Sequence, residues 1–451
     1  MMGTRALQQD TQAPRAEGPA PRAGGMVLVA PGSFEPIQAP WIRPGVVVHD
    51  PREGVDGLLA RFADDLNARG FRITGYVHRP ERDGTGPGEG CAERVEVLDL
   101  RRRQTLSLER DTAGRVMREA LREDADLLII SRFSACLQAM DALGASVGEE
   151  SSHGMPLLTS IAGQCIHKWH RFAQQEGSML TPDPRALWRW WGPERLYRDL
   201  ALGVAEEPVR QIACGPRWIM VEGPRGAGLA YLPRHPRGLM PRLPQLGRWS
   251  LRALAGLVSS WDPLEMALGV AALNAHYNHY DLEGDSGNGA RLFRKRPGRV
   301  VVIGAFPGVD GLLPGCAIIE TDPRPGEFPP VAMDTLVPGC GGVLVNASAL
   351  INRSLPRILR LAQGRPVGLI GPATPLTDRL HAYGVDVLGG MVVTNPQGLA
   401  AAVRAGALPR SFGQYGRFIH RVNPDSTLLR HRDQPTPLRP GVSRPILKCR
   451  G

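Results

Sequence analysis

"VVVIGAFPGVD" (residues 300–310) and "IETDPRPGEFPP" (319–330) are the two stretches from which the architecture can be read. The first opens with four β-branched residues and stops at Gly304, the pattern of a fully buried strand entering a tight turn. The second starts at the end of another apolar strand, "CAIIETD", and carries an acidic tip at Glu320 and Asp322. In a Rossmann domain a carboxylate at that place holds a ribose. The turn "GAFPGVD" and the residue after it offer Gly304, Gly308 and Gly311 around Pro307, which is not the G-x-G-x-x-G pattern. The middle glycine of that pattern lets backbone approach a pyrophosphate, so NAD is disfavoured. A nucleoside-like or S-adenosyl ligand needs the carboxylate without the tight turn. The plain alternative, a solvated loop carboxylate after a strand, carries equal weight.

Further along, "GGVLVNAS" and "RPVGLIGP" read as core strands and "VDVLGGMVV" closes the run, with helical segments between the later strands. Residues 296–421 are therefore expected to form a small Rossmann-like parallel sheet. Open parallel sheets bind ligands beyond the carboxyl ends of their strands. Four loops meet there, 304–308, 320–329, 346–352 and 371–376, bringing Gly304, Asn346, Ser348, Asn352 and Thr374 together. Helix N-termini add a place for anionic ligand atoms. Singly, each polar side chain reads as a helix cap. Together they read as a polar crevice.

Upstream, "DLEGDSGNGARLFRKRPG" reads as a loop or linker. Residues 205–292 read as a small α+β domain. It has a hairpin-like stretch turning at "EGPRGAG" and then two helices whose apolar residues recur every three or four positions. Residues 44–200 alternate strands such as "GVVVHD" and "ADLLIISRF" with helices such as "GVDGLLARFADDLNARG", an α/β pattern. Residues 1–43 are expected to be disordered and 422–451 form a Pro/Arg-rich tail.

A P-loop requires G-x-x-x-x-G-K-[ST], whose lysine neutralises phosphate and whose hydroxyl binds magnesium. Laid over "HDPREGVD" (49–56), that pattern keeps Gly54 but puts Val55 at the lysine position and Asp56 at the hydroxyl position. A carboxylate there repels phosphate, and "DLLIIS" ends on Ser131 rather than an aspartate, so ATP is disfavoured.

The chain has 451 residues, 42% hydrophobic and 22% charged, an ordinary globular composition. Its net charge of +10 invites a nucleic-acid reading. That reading fails on pattern: basic stripes with interleaved aromatics are absent, and part of the excess sits in the tail. No apolar run is long enough for a membrane helix and the start lacks a signal-peptide core, so a cytoplasmic location without membrane association is expected. Seven cysteines without a C-x-x-C pair point to free thiols.

Residues 45–200 resemble an uncharacterised bacterial family related to P-loop nucleoside triphosphatases that has lost the phosphate-binding lysine, on "DPREGVDGLL", "ADLLIISRF" and "PLLTSI". That family implies a degenerate P-loop-like α/β domain and brings no activity. Residues from about 205 to 420 resemble the putative heavy-metal-chelation family, on "SSWDPLEMALGVAALNAHYN" (259–278), "IETDPRPGEFPP", "VNASALINRSL" and "GPATPL", in that order. This resemblance implies an enolase-N-terminal-like α+β domain before the Rossmann-like one, and a ligand cleft between them. The cleft residues would be Asn274, Tyr277 and Asn278, facing Glu320, Asn346 and Thr374.

For a metal, His276 and His279 share a helix face, with Asp281, Glu283 and Asp285 close behind. Two imidazoles and a carboxylate suit zinc, iron or nickel. A solvated helix end is the plain alternative. His167 and His170 read as an exposed face, and Trp188, Trp190, Trp191 and Tyr197 as an interdomain packing surface. "GASVG" (144–148) fits G-x-S-x-G, but it lacks the strand-to-helix context of a nucleophile elbow. The expected function is binding of a metal or nucleoside-like small ligand. A transferase using an adenosyl-type cofactor and a non-catalytic scaffold remain as alternatives, and a homo-oligomer or protein partner stays open.

Overall fold

The computed structural model describes residues 43–50, 54–79, 94–109, 119–120, 123–132, 155–173 and 177–429. Residues 1–42, the tail from 430 and the "GASVG" motif lie outside these.

The first α/β domain is a seven-stranded sheet in the order β4-β3-β2-β5-β6-β1-β7. Its strands are β1 (Gly45–His49), β2 (Ile73–His78), β3 (Arg94–Asp99), β4 (Gln104–Glu109), β5 (Leu127–Ile130), β6 (Leu157–Ala162) and β7 (Ser178–Leu180). β2, β5, β6, β1 and β7 are parallel, and β3 and β4 add an antiparallel hairpin. The helix Val55–Ala68 buries Val55, Leu58, Leu59, Phe62, Ala63 and Leu66, the three-and-four spacing that glues one face to a sheet. Gly192, at φ +88°, separates the helices Pro184–Trp191 and Leu196–Leu202. Trp190, Trp191 and Tyr197 are buried there, and His167 and His170 are exposed.

The middle lobe is an antiparallel meander of β8 (Gln211–Cys214), β9 (Trp218–Glu222) and β10 (Ala227–Tyr231). Against it lies the helix Pro263–Tyr277, capped by Asp262, whose carboxylate accepts from the N–H groups of Leu264 (2.8 Å) and Glu265 (3.1 Å). Every residue from Leu264 to His276 is buried, so this helix is a central strut rather than a surface element.

The third sheet runs β11-β17-β16-β15-β14-β12-β13. Its strands are β11 (Asp285–Ser286), β12 (Val300–Ile303), β13 (Ala317–Ile319), β14 (Gly342–Asn346), β15 (Val367–Ile370), β16 (Val387–Val393) and β17 (Gly416–Val422). β13, β12, β14, β15 and β16 are parallel, with chain order reversing between β12 and β14. β17 and β11 complete the sheet as antiparallel strands. The stretch read as a linker thus supplies an edge strand, with Asp285 paired to His420 and Ser286 to Ile419. The middle lobe and the third sheet share one apolar core: Trp218, Met220 and Leu229 pack with Met391, Leu399, Val403 and Phe412.

Candidate functional site: a three-sided cavity beside the strand ends

The reversal of strand order puts the loops after β12 and β14 side by side, where an open parallel sheet offers its crevice. The backbone there is close-packed. A Cβ on Gly304 (φ +80°) would stand 2.6 Å from that of Asn346 and 3.6 Å from Oγ of Ser348. Glu320 closes the turn itself. Its carboxylate accepts from the N–H of Ala305 at 2.6 Å and of Thr321 at 3.3 Å. Asn346 Oδ1 accepts from the Ser348 N–H at 3.1 Å, and Asn352 Oδ1 accepts from both the N–H and hydroxyl of Ser354. Asp322 and Asn352 are exposed.

The helix Pro263–Tyr277 ends over the loop that follows β15, on the carboxyl side of the sheet. Asn278 is built into that junction. Its Nδ2 donates to the carbonyls of Thr374 (3.0 Å) and Met391 (3.2 Å), and its Oδ1 accepts from the Leu376 N–H at 2.8 Å. Asn274 Nδ2 donates to Leu229 O and Ala373 O. Two buried oxygens, Asn274 Oδ1 and Thr374 Oγ1, have no partner among the described residues.

A cavity of about 620 Å³ opens beside this junction. One wall is the end of Val55–Ala68 with Arg69 and Trp188, another is His276, Tyr277 and His279, and a third is Leu376–Arg379 with Arg421. Of the sequence candidates it gathers Tyr277, His276 and His279. Gly304, Glu320, Asp322, Asn346, Ser348, Asn352 and Thr374 do not line it.

The two imidazoles have centroids 6.0 Å apart. His276 is held below the usual imidazole range by burial and by the Arg225 guanidinium, against the pull of Glu207. His276 Nδ1 stands between Arg225 Nη2 at 3.5 Å, which donates, and Glu207 Oε2 at 3.8 Å, which accepts, so its own role follows the tautomer of the ring. The Tyr277 hydroxyl donates to Leu200 O at 2.7 Å, and burial raises its pKa.

The cavity wall carries four guanidiniums, all paired. Arg69 and Arg379 bind the fully buried Asp199 at 2.6 and 2.5 Å, Arg225 binds Glu207 at 3.0 Å and Arg421 binds Asp378 at 3.1 Å. The site is rich in N–H donors but close to neutral. Among the described residues no group of three or more His, Cys, Asp or Glu converges to hold a metal ion alone. The donor set fits a metal that arrives with further ligands of its own, and does not fit a bare ion.

Sequence reasoning missed Asp199 and His420. It also missed the partner of Asp56, which is bound through one oxygen by Arg132 Nε (3.0 Å) and Nη2 (2.9 Å). Asp56 is buried at the start of its helix, so an anion of the chain's own already faces Arg132 there.

Fold and cavity define an α/β protein with two parallel-sheet domains and a small lobe between them in the chain. Residues 291–422 match the family described as "Putative heavy-metal chelation" (DUF364), and 197–277 match a second family with that description (DUF4213). Residues 45–115 and 107–190 match a "Protein of unknown function" family (DUF2478). The C-terminal part is therefore similar to the chelation families, and the N-terminal part to an uncharacterised one.

A solved protein of unknown function from the DUF364 family of Desulfitobacterium hafniense DCB-2 is 27% identical, covering 51% of this chain and 97% of that one with a TM-score of 0.47. A second, from Pyrococcus horikoshii, is 20% identical, covering 51% and 98% with a TM-score of 0.44. A 165-residue stretch is 28% identical to "Molybdenum import ATP-binding protein ModC 2" of Bradyrhizobium diazoefficiens, covering 33% of this chain and 18% of that relative. The chain thus spans under a fifth of that relative's length.

Proposed function

We propose that this protein binds a transition-metal ion together with a small anionic chelator in the cavity lined by His276, Tyr277 and His279. The carrying observation is that two imidazoles and four paired guanidiniums face one space of about 620 Å³. A neutral imidazole is a transition-metal ligand at neutral pH. A bare dication gains two nitrogens and, among the described residues, too few further donors to fill its coordination. A chelated ion brings carboxylate arms for the guanidinium N–H groups, and its net charge suits a near-neutral wall. Binding at His276 Nδ1 displaces Arg225 toward Glu207, to which it is already joined. The chelation descriptions of the matched families and the metal in the name of the molybdenum-import relative support the reading.

The test is equilibrium dialysis of untagged protein against nickel(II), with and without citrate, read by elemental analysis. Citrate raises the bound nickel, and the His276→Ala/His279→Ala double variant weakens nickel–citrate binding at least ten-fold. Wild-type binding by that double variant would falsify the proposal.

A further inference from the structure

His420 in β17 stands opposite Asp285 in β11, at the edge of the third sheet, and neither lines the cavity of the imidazole pair. The residue is only 8% exposed. Its Nδ1 lies 3.2 Å from the carbonyl oxygen of Gly287. A carbonyl only accepts, so Nδ1 carries a proton. In the neutral ring Nε2 is then the lone-pair nitrogen, the tautomer that a carbonyl partner sets for a metal-binding histidine.

That nitrogen is buried without a hydrogen-bond partner among the described residues, and the group facing it is the Asp285 carboxylate, 3.7 Å away. A lone pair confronting a carboxylate is repulsive unless something positive lies between. A span of 3.7 Å exceeds the 2.7–3.2 Å of an N–H···O bond. It suits two donors each about 2.1 Å from one shared ion, subtending roughly 120° there.

The geometry points to a site for a divalent first-row transition cation at His420 Nε2 and Asp285 Oδ2. Both line a cavity of about 730 Å³, and since no third His, Cys, Asp or Glu among the described residues converges with them, water would complete the coordination. Arg417 and Arg421 line it too, but their guanidiniums are drawn off. Arg417 donates to Leu282 O at 2.5 Å, and Arg421 donates to Leu376 O and to Asp378. The Asp285 side chain is 68% exposed and the His420 side chain 9%, so an ion would be met first by the carboxylate and then by the ring.

The experiment titrates zinc(II), with no chelator, into histidine-labelled full-length protein and follows the His420 ring by NMR, assigned through His420→Gln. The titration is repeated in Asp285→Asn, which keeps the side chain's shape on an exposed edge. Zinc is expected to shift the His420 resonance, and Asp285→Asn to weaken that response at least ten-fold. The shift persists in the His276→Ala/His279→Ala double variant, so this site and the proposed cleft fail or stand separately. The inference is overturned if His420 is charged at pH 7.5 and indifferent to zinc, which would make the pair a plain ion pair. It is equally overturned if Asp285→Asn responds as the wild type does.

Discussion

His276 combines burial with a cationic neighbour, and both act against its protonation. Its pKa is lowered, first by desolvation and then by Arg225. His78 in the first domain is lowered in the same way by burial and Arg132. An unfolded chain protonates either ring near pH 6.5, whereas the folded chain resists until lower pH. Between those values the unfolded state binds more protons, so folding stability is full above about pH 6.5 and is lost as pH falls toward the folded value. The same depression governs the ligand site, since only the neutral ring binds metal. The part of nickel–citrate binding that His276→Ala removes should therefore stay level from pH 7.5 to 6.5 and decline only below that. A decline centred at or above pH 6.5, abolished by His276→Ala, would show His276 to be an ordinary exposed imidazole.

The helix Pro263–Tyr277 owes its position to a glycine on the facing strand. A Cβ on Gly228 in β10 would lie 2.2 Å from the carbonyl oxygen of Ala271 and 2.3 Å from the amide nitrogen of Ala275. Backbone cannot yield as a flexible side chain can, so Gly228→Ala must push helix and strand apart. The expected cost is about 2–3 kcal/mol in urea unfolding, against a change within about 0.5 kcal/mol for Gly238→Ala, which meets nothing. Equal midpoints for the two variants would refute this packing.

Elements of this kind were partly legible in the sequence. Parallel strands buried on both faces, such as Val300–Ile303 and Val367–Ile370, are continuous apolar runs and announce themselves. β11 and β17 did not. Asp285–Ser286 is two polar residues, and "GRFIHRV" mixes polar and apolar residues and has one of its two neighbours, β11, far back in the chain. The Asp285–His420 pair was hidden for that reason: Asp285 was grouped with the nearby His276 and His279, and register joins it to His420 instead. Asn278 was read as a ligand group because local sequence cannot tell an amide facing solvent from one bonded to a distant loop.

Across the described molecule, Asp199 ties together segments from three regions. It lies on the short helix Leu196–Leu202 and is fully buried. Its carboxylate meets Arg69 at the end of the first domain's helix, Arg379 from the third domain, and the Tyr383 hydroxyl at 2.8 Å. Arg379 Nη1 also donates to the backbone carbonyl of Arg69 at 3.1 Å, and Arg69 Nη1 donates to that of Arg379 at 3.2 Å, so each cation caps the other's chain. Burial and Asp199 together raise the Tyr383 pKa well above the usual phenol value, which keeps that hydroxyl a donor.

Removing one member of a buried ion pair costs about 3–5 kcal/mol, because the charges left behind have lost their counterion. Here two guanidiniums would be left, each partly open to the cavity, so about 3 kcal/mol is the reasonable expectation for Asp199→Asn. Because both arginines also form the cavity wall, the same change should weaken nickel–citrate binding several-fold while leaving the zinc response of His420 intact. If the first domain is held chiefly through this carboxylate, calorimetry of the variant should separate one unfolding transition into two. A variant that unfolds at the wild-type temperature in a single transition would mean that the apolar contacts around Trp188 and Tyr383, whose rings meet at 5.5 Å, hold the domains together without it.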